Sequence, residues 1–251
     1  MENWNNLNKV LILERQDFAK RELESQELVE LCSSELEDFK EIKLLLKKGA
    51  ALNCYADLST PLISAIRSNN ITLGTFLLNM GASITYHPMD LEDDAFWEAL
   101  INKRHDFLKL FIEKRCPLKR RSSKITPLIY ATIERDVKGV ELLLQHYNIK
   151  VNDIDGNRNT ALHYNVSNEP QTEEDTEIGK MLVAAGAEIN SVNLDGQTPQ
   201  DMALDSTARS MLLYAKLDRD IPNKDEEMEP EVEPNTPNMP VKKTMQNKIK
   251  I

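Results

Sequence analysis

Thr60-Pro61-Leu62-Ile63-Ser64-Ala65 and Thr126-Pro127-Leu128-Ile129-Tyr130-Ala131 are the two stretches that decide how this chain folds. Sixteen residues after each Thr stands an apolar triplet, Phe76-Leu77-Leu78 in one case and Leu142-Leu143-Leu144 in the other. Between the two, Asp94 takes the Thr place, with Ala99 and Leu110-Phe111-Ile112 at the matching offsets. Thr160-Ala161-Leu162-His163 and Thr198-Pro199-Gln200-Asp201 open two further copies, while Leu44-Leu45-Leu46 and Gly49-Ala50 close an earlier one. With the Thr-equivalent positions at 28, 60, 94, 126, 160 and 198, the steps are 32, 34, 32, 34 and 38. A step near 33 that recurs along the chain is an internal repeat, and it governs the reading of every other motif.

Each part of the unit has a physical reason. A Thr before Pro starts a helix, because the hydroxyl accepts a free backbone N–H and Pro at the first helical position has no N–H to lose. Leu62 and Ala65, three apart, share one helix face, and the small Ala lets a partner helix approach. The triplet is the buried stripe of a second helix, which Gly81 or Gly186 ends in a left-handed cap. Asp155-Gly156 and Asp195-Gly196 are turn dipeptides. The unit is helix, turn, helix and extended finger, and it must stack on its neighbours to bury its apolar faces.

These residues resemble the ankyrin repeat, whose pattern is T-P-L-H-x-A, then a leucine-rich second helix and G-A-x-x-N. Thr60 to Thr85, Thr126 to Asn152, Thr160 to Asn190 and Thr198 to Ala215 match best, and the match covers 28–217. Only the fifth copy keeps the His of the opening, His163; the third opens Asp94-Ala95-Phe96-Trp97, and the first lacks the opening. The resemblance implies an all-α solenoid of about five to six helix-turn-helix repeats. Residues 1–27, with Trp4, Leu7, Val10, Leu11 and Phe18 in helical spacing, are expected to form an N-terminal capping helix. Residues 218–251, Pro-rich and acidic, are expected to be a disordered tail. The extra residues of the fifth copy fall around Glu169 to Asp175 and read as a tolerated acidic surface loop.

Bulk properties narrow the function. With 41% hydrophobic and 29% charged residues, the chain can build a core and a wet surface. A net charge of −10 argues against a nucleic-acid or anionic-membrane binder. Cys32, Cys54 and Cys116 are odd in number and form no CxxC, so they are expected to be buried free thiols in a reducing compartment. No signal-peptide pattern opens the chain, so a cytoplasmic protein is expected. No phosphate loop, HExxH or GxSxG occurs, and His87, His105, His146 and His163 fall in different copies without ligand spacing. The expectation is therefore a monomeric binding module that is not an enzyme and uses no cofactor or metal.

In the family, partners dock on the concave face of the first helices and on the finger tips. The positions that align here are Arg67, Ser68, Ile101, Asn102, Ile133 and Glu134 on the face. From 100 to 124 nine Lys or Arg face only Asp106 and Glu113, a local charge of +7, and Lys119, Arg120, Arg121 and Lys124 sit in one finger where side chains should project freely. That finger is expected to dock an acidic segment of a protein partner, steered by charge. Ser123 after two arginines resembles a kinase site, and family behaviour implies Asn152 or Asn190 as hydroxylation substrates. The block Asp225 to Glu233 also resembles the glutamate-rich C-terminal signals of type IV secreted effectors, which gives an alternative: a bacterial effector delivered into a host cytosol that binds a host protein through the same surface.

Overall fold

A computed structural model describes residues 20–34, 38–56, 58–86, 94–119, 121 and 124–220, with the side chains of 215–220 left out. The described residues form twelve helices and no strand, only an isolated bridge between Ala56 and Ser59. They are α1 (20–33), α2 (Phe39–Lys48), α3 (Pro61–Arg67), α4 (Ile71–Asn79), α5 (Ala95–Ile101), α6 (His105–Glu113), α7 (Pro127–Ile133), α8 (Val137–Leu144), α9 (Ala161–Ser167), α10 (Glu173–Ala184), α11 (Pro199–Met202) and α12 (Ser206–Asp220). The odd helices α3 to α11 pack on one another as an inner layer, and the even helices α4 to α12 form an outer layer. This is the all-α solenoid that the repeat implies.

The openings start helices as expected. Thr60, Thr126, Thr160 and Thr198 are extended, and each hydroxyl accepts the N–H three residues on, at 3.1 to 3.4 Å. Asp94 does the same work in the third copy, accepting from Phe96 and Trp97 at 3.1 and 3.2 Å. The inner helices end identically: the N–H groups of Asn70, Arg104 and Asp136 donate to the carbonyls of Ala65, Ala99 and Ala131 at 2.8 to 2.9 Å. Those alanines are fully buried, where any larger side chain would hold the layers apart.

In the apolar triplets, the middle residue carries the packing. Leu45, Leu77, Phe111, Leu143 and Leu182 are all fully buried, whereas their flanking residues are partly or largely exposed, Leu142 apart. Such a side chain contributes about 1.5–3 kcal/mol by leaving water. In four copies its carbonyl also accepts the N–H of the residue that closes the helix: Ala50, Ala82, Cys116 and Ala187, at 2.9 to 3.0 Å. Gly81 and Gly186 adopt φ +103° and +94° there, the left-handed caps expected of them. In the fourth copy no Gly-Ala follows, and buried His146 closes the turn instead, with Nε2 2.8 Å from the Cys116 carbonyl and Nδ1 accepting the Asn148 N–H at 3.1 Å.

Three expectations need adjusting. The division at 27/28 falls inside α1, which runs unbroken from 20 to 33, because Leu28 carries no capping side chain and no Pro follows it. Residues 1–19 of the expected capping helix lie outside the described residues. At the other end α12 continues to Asp220, so the boundary at 217/218 also falls within a helix; the tail 221–251, with its effector-like signal, lies outside the described residues. The acidic stretch of the fifth copy is not a loose loop. Thr172 caps α10, Glu173, Glu174 and Asp175 form its first turn, and Asp175 is fully buried. Its carboxylate pairs with Arg135 at 3.0 Å and accepts from Asn168 at 2.6 Å and from the Thr172 N–H at 2.9 Å. Asn165, which stands where the second, third, fourth and sixth copies have Ala, donates to the Asp175 carbonyl at 2.8 Å.

Two stability changes follow. Gly186→Ala is expected to lose about 1 kcal/mol in urea denaturation, all of it backbone strain, because open space surrounds the added methyl. Asp175→Ala leaves Arg135 without its anion; with that side chain a third exposed, the loss in the same assay should be about 2–3 kcal/mol.

Candidate functional site

The inner helices are seven residues long from α3 to α9, about 10 Å each, with a finger at one end and a tight turn at the other. Arg67 and Ser68 end α3, Ile101 and Asn102 end α5, and Ile133 and Glu134 end α7. These are equivalent places in successive copies, so the three pairs form one row along the turn edge of the inner layer. Arg67 reaches across to the next copy and back to its own finger: its Nε and a terminal nitrogen meet the two Glu98 oxygens at 2.9 and 3.3 Å, and its other nitrogen meets the Leu58 carbonyl at 3.1 Å. Asn102 donates to the same Glu98 at 2.9 Å. Ile101 and Ile133 are half-buried, while Ser68, Asn102 and Glu134 are exposed.

One turn nearer the fingers lies a second row that the sequence reading missed: Glu98, Tyr130 and Tyr164, four residues after each capping Asp or Thr. Their common offset was the available signal. With Ile101 and Ile133 the two tyrosines make a half-buried band, apolar and aromatic over α5 to α9, along the inner face. The Tyr164 hydroxyl donates to Asp155 at 2.6 Å, and Asp155 also accepts the N–H groups of Asn157 and Asn159, which shapes that finger. Burial first, then the Asp155 carboxylate, push the Tyr164 pKa up, so it remains a phenol.

The run of basic residues between 100 and 124 does not form one patch. The fold distributes it over three places. Lys103 and Arg104 lie in the turn between α5 and α6, where they bind main-chain carbonyls at the ends of the flanking inner helices: Lys103 to Glu134 and Arg104 to Arg67, at 3.0 and 3.1 Å. Cations there complement the helix dipole, which makes them structural. Lys109 faces outward from α6. Lys114 and Arg115 follow α6 into the finger that holds Lys119, Arg121 and Lys124. Arg120 and Ser123 lie outside the described residues.

That finger is built more firmly than a projecting loop. The Trp97 indole N–H donates to the Lys119 carbonyl at 3.1 Å, and Lys119 reaches the Thr85 carbonyl at 3.2 Å and Asp94 at 3.9 Å. Arg121 does not project freely: its guanidinium lies 4.7 Å over the Trp97 ring and 5.5 Å from the Tyr130 centroid. The ring faces, electron-rich, hold the cation there. Lys124, exposed, sits at φ +62°, the same left-handed place that Leu58, Arg158 and Gly196 take in three other fingers. The finger thus meets the aromatic end of the inner band.

Chemistry-bearing groups elsewhere have structural partners. His163 Nδ1 accepts the Thr160 N–H at 3.2 Å, so Nε2 carries the proton and donates to the Gln197 carbonyl of the next finger, also at 3.2 Å. Burial lowers its pKa. Cys32 and Cys116 are pushed up to about 12 and Cys54 to about 11, each chiefly by burial, which leaves all three as protonated thiols. The Asn152 amide bonds to the Gly186 carbonyl and the Glu188 N–H, tying one finger to the next copy. Among the described residues no cluster of His, Cys, Asp and Glu could hold a metal, and no helix is long and apolar enough to cross a membrane.

The His163 geometry predicts a pH effect. The folded ring resists protonation while the unfolded one titrates near 6.5, so its stabilising share is complete above that pH and falls away as the pH drops below it. Urea midpoints measured between pH 7 and 5 should fall more steeply for the wild type than for His163→Gln.

Comparison with known proteins agrees with this geometry. The family model described as ankyrin repeats, in three copies, matches residues 95–193. Among solved structures, an ankyrin repeat domain from Acinetobacter baumannii superposes with a TM-score of 0.66 at 23% identity, covering 76% of this chain and 97% of that one. The human ASB11 ankyrin repeat domain gives 0.59 at 23%, covering 75% and 81%. A chain from a complex of a predatory endopeptidase of Bdellovibrio bacteriovorus with an immunity protein gives 0.59 at 22%, covering 74% and 96%. No curated protein matches the sequence.

Proposed function

Because this chain is an ankyrin-repeat protein, a fold that generally serves protein–protein interaction and is typically a non-catalytic scaffold, we propose that it binds a partner protein through its inner face and its third finger. The observation that carries the reading is the band Ile101, Tyr130, Ile133 and Tyr164, half-buried on the inner layer and flanked by the cations of the 116–125 finger. Apolar and aromatic side chains at the centre of a groove, with charge at its rim, are the arrangement from which binding hot spots are built. A partner segment that fits carries an apolar anchor for Ile101 and Ile133 and carboxylates for Lys119 and Lys124. The endopeptidase–immunity protein complex among the structural neighbours supports protein binding by this architecture. The chain works as a monomer without cofactor in the cytoplasm, where its three free thiols stay reduced.

The test is affinity capture from the native cell with the intact chain, read by mass spectrometry, against the double variant Ile101→Asp/Ile133→Asp. Both side chains are part-exposed, so circular dichroism should still show a folded solenoid. A partner retained by the wild type should bind the variant at least about 30-fold more weakly, the loss of one hot spot. Equal retention would remove the inner band from the interface. A further pair, Lys119→Glu/Lys124→Glu, should mainly slow association and flatten its salt dependence.

A further inference from the structure

We propose that in the free protein the third finger is occupied by the chain's own acidic block, Asp225 to Glu233. The inference rests on the reading of that finger as an anion-docking surface. Three observations lead to it.

The first is charge. The stretch between α6 and α7 carries Lys119, Arg120, Arg121 and Lys124 and no acid, whereas the fingers before α3, α5 and α11 are net acidic and the one before α9 is balanced. The block Asp225-Glu226-Glu227-Met228-Glu229-Pro230-Glu231-Val232-Glu233 holds six carboxylates and no cation, with Met228 and Val232 spaced among them. It has the chemistry that the finger and the adjoining Tyr130 and Ile133 would take.

The second is direction. Each outer helix from α4 to α10 runs toward the finger edge and ends beside it, with Gly81 and Gly186 turning the chain into the next finger. α12 holds the outer place in the last copy, packed on α10, so Asp220 leaves the stack at that same edge.

The third is reach. From α12 through α10 and α8 to α6 is three helix-to-helix steps of about 8–10 Å, or about 30 Å. Thirteen residues on from Asp220 stands Glu233, the end of the block, and a chain of that length reaches about 45 Å when extended, which leaves slack over the span. Pro222 and Pro230 favour the extended form. Tethering supplies an effective concentration of up to about 1 mM, so a contact with an intrinsic Kd of about 0.1 mM is populated about ten to one. A partner with an acidic segment then has to displace the tail.

The test uses the full chain and a synthetic peptide of residues 223–235 as probe. One variant neutralises the block (Asp225→Asn, Glu226→Gln, Glu227→Gln, Glu229→Gln, Glu231→Gln, Glu233→Gln). A second carries Lys119→Glu/Lys124→Glu. The neutralised chain should bind the peptide about ten-fold more tightly than the wild type, whose own tail competes. Adding Lys119→Glu/Lys124→Glu to the neutralised chain should abolish that binding. The Trp97 indole N–H resonance, held on the Lys119 carbonyl, should move between wild-type and neutralised chains. Equal affinity of the two chains with an unmoved indole overturns the proposal. So does an absence of peptide binding to the neutralised chain. Because none of these readings involves an outside partner, failure to capture one leaves this result intact, and failure here leaves partner capture to be judged separately.

Discussion

A seven-residue helix paired with one of about nine cannot enclose a core of its own, and this constraint shapes everything else in the molecule. One side of each pair must lie on the next pair. The fully buried middle residues Leu45, Leu77, Phe111, Leu143 and Leu182 lie in the outer layer, and the small Ala65, Ala99 and Ala131 lie in the inner. Their carbonyls also accept the N–H groups that close each helix, so one residue at each place serves both packing and chain reversal. Layers that can stack only in this way leave one face of the inner helices uncovered. The band of Ile101, Tyr130, Ile133 and Tyr164 is that face, and its availability for a partner is a consequence of the stacking.

Departures from the repeat are where the copies become individual. The fifth copy puts Asn165 in the alanine place and lengthens the link between its helices. Both changes are held by Asp175, whose buried carboxylate meets Arg135 of the preceding copy. The fourth copy lacks Gly-Ala and closes with His146. In the third, Asp94 replaces Thr, and Trp97 reaches beneath the following finger to hold Lys119 and Arg121. A buried polar group left unpaired is costly, and Asp175, His146 and Trp97 each bring a partner, whereas Asn165 is paired through its amide N–H and its buried Oδ1 has none. That requirement gives the third finger its definite shape.

The arithmetic of the sequence determined the repeat, the helix starts at Thr60, Asp94, Thr126, Thr160 and Thr198, and the left-handed ends at Gly81 and Gly186, because each of these is a local interaction within a few residues. The row Arg67 to Glu134 was legible for the same reason: equal offsets in equal units fall on one edge. Only the tertiary structure decided what a run of charge means. The eight described cations of that run were sent to three separate places, since a helix hairpin reverses direction within them: Lys103 and Arg104 went to carbonyls at the turn edge, Lys109 to the outer surface, and Lys114, Arg115, Lys119, Arg121 and Lys124 to the finger. Arg121 on the Trp97 ring and Asp175 on Arg135 were likewise hidden from the sequence, because those contacts join residues 24 and 40 positions apart, and nothing local marks the partner.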